Sequence, residues 1–112
     1  MSQSEQIRIS IEQKKETIAL GDAIARISKS RDWKRIIDSE FFDKEPARLV
    51  HLMAHPDMQD EASQKEIRNQ MLAIAYFRSF LGRTQYMAEL ARKALPEDEE
   101  TQVELLQEEA QE

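Results

Sequence analysis

Cysteine is absent from this chain, so neither a disulfide nor a thiolate metal site can form, and no redox nucleophile is present. A reducing compartment is thereby permitted. Glycine occurs twice and proline three times in 112 residues, too little turn chemistry for a many-stranded sheet and a balance that favours long helices. Long apolar runs are missing as well. Residues 1–8 are polar, and no run approaches the ~20 residues of a membrane-spanning helix, which predicts a soluble, cytoplasmic chain with no membrane partner. No Gly-rich phosphate loop, hydrolase elbow, solenoid repeat or Gly/Ser linker occurs, so no cofactor is expected.

What is present is one core's worth of apolar residues, 40% of the chain, beside 34% charged residues. The net charge is −6, but residues 97–112 carry eight acids and no base; setting those eight aside leaves +2 for the remainder. The expected organisation is a helical domain over 1–96 and an acidic, weakly helical tail over 97–112.

Ser2 stands three residues before Glu5, the spacing of a capping box, and predicts a helix starting near Gln3. Ile7, Ile11 and Ile18 share a stripe that Leu20, Ile24 and Ile27 continue, with Gly21 as a candidate close helix crossing. Ser30 is the next cap, opening a short helix on which Trp33, Ile36 and Ile37 face one way. Asp43 is expected to cap a third helix, with Pro46 in its first turn and Leu49, Val50, Leu52 and Met53 on its buried side. Pro56 disfavours helical geometry at His55 and closes it.

Asp57 or Asp60 then opens the longest element, over 61–95. Alternating steps of three and four from Ile67 reach Gln70, Ile74, Phe77, Leu81, Thr84, Ala88, Ala91 and Leu95, a seam of coiled-coil type. Met71, Phe80, Met87, Leu90 and Ala94 widen it towards a second neighbour. Pro96 is expected to break the helix, and deletion of 97–112 to leave helicity nearly intact. The fold class is all-α: an antiparallel hairpin of a long N-terminal and a long C-terminal helix, two short helices between them, and an acidic tail.

Catalytic and metal-binding readings find little support. His51 and His55 stand four apart on a helix, but Leu52 occupies the place of the zinc-protease glutamate and no third ligand is evident. Asp32, Asp38, Glu40, Asp43 and Glu45 are scattered over helix starts and connections, where caps and dipole partners belong. No catalytic residue is expected.

Binding readings are better supplied. Met71, Phe80, Met87 and Leu90 form a second apolar stripe suited to another protein or to a second copy of the chain. The acidic tail admits three readings, a solubilising end, a segment that docks on a basic partner, or a nucleic-acid mimic; Val103, Leu105 and Leu106, which alternate with its acids and have no use in a purely solubilising end, raise the second. Arg26, Lys29, Arg31, Lys34 and Arg35 cluster around Trp33, an arrangement able to meet phosphates and stack a base. The apolar register of Trp33 and a sequence pI near 5.0 disfavour nucleic acid as the main partner.

The segments FFDKEPARLV at 41–50, AHP at 54–56, AIAYFRSFL at 73–81 and MA at 87–88, with the acidic stretch 97–109 and its Thr101, resemble small helical proteins of tailed bacteriophages. That resemblance covers roughly residues 5–109 and implies a virion-associated or morphogenesis role, in the host cytoplasm or the virion. The expected function is therefore a non-enzymatic assembly or adaptor protein. A regulatory inhibitor of a host or phage enzyme is the alternative, and a weak nucleic-acid binder the third.

Overall fold

The computed structural model describes residues 2–111, and every element among them is helical. Helix α1 spans Gln3–Ser28, α2 Arg31–Trp33, a π-helical stretch Lys34–Lys44, α3 Glu45–Ala54, a 3-10 turn Pro56–Met58 and α4 Glu61–Gln111. The all-α expectation holds. No described helix is long and apolar enough to cross a membrane. Two compact units are formed: a hairpin unit, with the chain up to Ala25 and from Arg83 onward, and an aromatic unit, Arg26–Gly82.

Three helix starts, those of α1, α2 and α4, have capping residues that were read from the sequence. Ser2 Oγ accepts from the Glu5 amide at 3.2 Å, Ser30 Oγ from the Trp33 amide at 3.2 Å, and Asp60 Oδ2 from the Ser63 amide at 2.9 Å. Each satisfies one of the amides that a helix start leaves without an intrahelical acceptor. His55 adopts an extended backbone before Pro56 and ends α3.

In the hairpin unit α1 and the C-terminal half of α4 run antiparallel. The α1 seam is Ser4, Ile7, Ile11, Lys14, Ile18, Gly21 and Ala25, in alternating steps of three and four, all buried or half-buried. Opposite it, Ala88 is fully buried and Ala91 nearly so. A Cβ built on Gly21 would stand 2.3 Å from the Ala88 Cβ, so the backbones cross at a distance that only glycine permits. Leu20 is exposed, as is Ile27 in the aromatic unit, contrary to the stripe expected of them; the seam keeps to Gly21 and Ala25 instead.

Polar side chains clamp this crossing. Ser10 Oγ donates to Asp98 Oδ2 at 2.8 Å, Lys14 Nζ donates to the same oxygen and to Ser10 Oγ, and Arg92 pairs with Asp22. The Lys14 and Ser10 hydrogen bonds hold the Asp98 carboxyl below its ordinary pKa.

Pro96 does not break α4. The helix continues to Gln111, and residues 97–111 belong to it rather than to a detached tail. The α4 seam steps on past Leu95 to Asp98, Gln102 and Leu105, all half-buried. The proline forfeits one backbone hydrogen bond and is about 3 kcal/mol less favourable than alanine. Contacts with α1 on both sides of it, Arg92 to Asp22 and Asp98 to Lys14, hold the helix through that defect.

In the aromatic unit Leu49, Ile67 and Ile74 form the buried core, with Phe41, Phe42, Leu52, Met53, Met58 and Met71 packed against it. Phe77 of α4 gathers three rings at centroid distances of 5.7 Å (Phe42), 5.9 Å (Phe41) and 6.3 Å (Trp33). The expected break before α3 does not occur. Asp43 is exposed within the π stretch, and Lys44 makes no side-chain cap. The i→i+5 turn is wider than an α turn, which lets the neighbouring Phe41 and Phe42 both reach Phe77. The same geometry leaves Ile36 58% exposed while Ile37 is half-buried.

The Phe42 carbonyl, near the end of the π stretch, has a side-chain partner. Arg78 Nη2 donates to that oxygen at 3.3 Å, and its guanidinium lies 4.5 Å from the Phe42 ring centroid. One arginine thus gives Phe42 both a hydrogen bond and a cation–π contact.

Candidate interaction surfaces

The outward side of α4 carries large apolar side chains at helical spacing. In the aromatic unit these are Leu72, Tyr76 and Phe80, four residues apart and 48%, 68% and 50% exposed. In the hairpin unit Tyr86, Met87 and Leu90 are exposed. Of the stripe expected from the sequence, Phe80, Met87 and Leu90 lie at the surface. Met71 does not: it is half-buried against the core, because it lies closer to the seam than to the outward face. Leu72, Tyr76 and Tyr86 were missed, although the three-and-four frame starting at Ile67 already places them away from the seam.

The apolar residues of the acidic segment divide. Leu105 is half-buried and lines a shallow recess with Gln3, Gln6, Ile7 and Thr101. Val103 and Leu106 are exposed.

Arg26, Lys29, Arg31, Lys34 and Arg35 are all exposed, and none joins an ion pair among the described residues. Within this cluster Ile27, Trp33, Ile36 and Ile37, with Ser30 and Asp32, line an open concavity of about 400 Å³. Trp33 packs its ring on Phe77, so it is a wall of the groove rather than a projecting stacking platform.

His51 is exposed on α3, and His55 Nδ1 accepts from the Asp57 amide at 3.1 Å, which is a capping role. No group of three or more His, Asp or Glu among the described residues is placed to hold a metal ion. Asp32, Asp38, Glu40 and Asp43 are exposed; Glu45 is half-buried and bonded to Arg48, which lowers its pKa. No protein-family model matches the chain, and neither a curated protein nor a solved structure matches it.

Proposed function

We propose that this chain is a non-enzymatic assembly or adaptor protein acting through helix-to-helix contacts, and that its setting is bacteriophage morphogenesis, in the host cytoplasm or the virion. The observation that carries the reading is the row of large apolar side chains facing outward from α4, led by Leu72, Tyr76 and Phe80. Aromatic and aliphatic residues left exposed at regular spacing on one helix face mark a surface suited to a protein partner. The resemblance of residues 41–50 and 73–81 to small helical phage proteins supplies the setting.

Mass spectrometry of purified particles and of assembly intermediates tests this. The chain is expected in one or both, at a fixed copy number relative to other components. Absence from both removes the structural role. Recovery instead in a stoichiometric complex with one enzyme, whose activity falls, would establish the regulatory-inhibitor alternative.

A further inference from the structure

We propose that copies of this chain associate head to tail, the acid-bordered ridge near the end of α4 in one copy seating in the cationic groove of the next. The ridge is Val103 and Leu106, 53% and 51% exposed on successive turns, with Ala110 following four residues on. Glu99, Glu100, Glu104 and Glu109 flank it, and residues 97–112 hold no base. The groove is the concavity lined by Ile27, Trp33, Ile36 and Ile37 with Ser30 and one acid, Asp32. Around it stand the five cations of the 26–35 cluster, unpaired among the described residues.

Charge selects this pairing from the alternatives. Ridge against ridge sets acids against acids, and groove against groove sets five unpaired cations against five, both repulsive. Only ridge against groove opposes charges while covering apolar surface on both sides. Such a contact joins two different faces, so it is heterologous, and it propagates as a ring or an open series unless one face is blocked. The apolar match provides the burial, and the charges set orientation and salt sensitivity. The proposal deepens the assembly reading by naming a second copy as one partner of the chain.

Sedimentation velocity of the full chain over a range of concentrations tests it, with two variants. K34E/R35E spoils the groove and leaves the ridge; V103S/L106S spoils the ridge and leaves the groove. Wild-type chain is expected to form a series of species that grows with concentration and shrinks as salt is raised. Each variant alone stays a monomer with unchanged helicity, its self-affinity lowered about tenfold or more. An equimolar mixture of the two retains one good ridge and one good groove, so it forms a species of two chains and stops there. E104K/E109K, which alters the charge border without touching the apolar ridge, behaves as V103S/L106S does.

A wild-type chain that remains monomeric throughout overturns the proposal, as does a mixture that does not pair or a variant that associates like wild type. Salt-sensitive binding of duplex DNA by a chain that does not self-associate would assign the groove to nucleic acid and overturn it equally. Particle mass spectrometry can succeed while the mixing experiment fails, so loss of the head-to-tail contact is distinguishable from loss of the assembly role.

Discussion

The two units hold their helices together by opposite means. In the aromatic unit large side chains fill the space between elements: Leu49 is completely buried, and three aromatic rings meet around Phe77. In the hairpin unit the space is removed instead. Gly21, Ala88 and Ala91 let the backbones approach, and the polar clamp of Ser10, Lys14 and Asp98 fastens what little apolar area is buried. Burial free energy scales with apolar area, so truncations should matter most in the first unit. A close crossing has no slack for added volume, so enlargements should matter most in the second.

The comparison breaks most visibly at Leu49. Leu49→Ala is expected to lower stability by about 2–5 kcal/mol, the range for a buried leucine, read as a shift of the denaturation midpoint with helicity as the signal. A loss below 1 kcal/mol would mean that the aromatic unit is not packed as described. Next in size is Pro96→Ala, which restores a helical hydrogen bond and should raise stability by up to about 3 kcal/mol. A loss of stability there would show that the hairpin unit requires the proline.

The two glycines sharpen the contrast because one substitution should have opposite signs. Gly21→Ala gains about 1 kcal/mol of helix propensity but drives a methyl into Ala88, at a cost of about 1–3 kcal/mol, so the net effect is destabilising. Gly82→Ala meets nothing within 4 Å and should stabilise by about 1 kcal/mol. Paired thermal melts decide this, and equal shifts would refute the close crossing.

The smallest effect is the acid sensitivity of the clamp. Asp98 is held below its ordinary pKa by Lys14 and Ser10, so its contribution is fully present above the unfolded carboxylate value and disappears as pH falls through the folded one. Asp60, through Ser63, and Glu45, through Arg48, act in the same direction. The melting temperature should therefore fall on acidification below the ordinary carboxylate range. Asp98→Asn should melt lower than wild type at neutral pH and lose part of that slope; an unchanged slope would exclude the clamp.

Deleting residues 97–112 now carries a different expectation from the one suggested by sequence. The truncation removes Asp98 and a helical segment that packs on α1, so helicity should fall by more than the loss of an unstructured tail could explain.

Of the exposed apolar surface, Phe80, Met87, Leu90, Val103 and Leu106 were legible, because distance from the seam is a matter of counting. Met71 and Leu105 are half-buried instead: Met71 stands beside a seam position, and Leu105 lies on the continuation of the seam. The groove around Trp33 was visible only as a charge cluster. Its concavity depends on the π stretch, which has no local signature in composition.

By itself the sequence determined the all-α class, the caps at Ser2 and Ser30, a cap at Asp57 or Asp60, the stop at His55-Pro56 and the seam from Ile67 to Leu95. These follow from local hydrogen-bonding needs and from helical periodicity, which neighbouring residues express without reference to distant ones. Only the tertiary structure decided that α4 continues through Pro96, that Lys34–Lys44 winds as a π-helix and that Ile27 and Ile36 face outward. The local penalty of a proline or of a widened turn can be offset by contacts with partners far along the chain, Lys14 for Asp98 and Phe77 for Phe41 and Phe42, and those partners are chosen by packing.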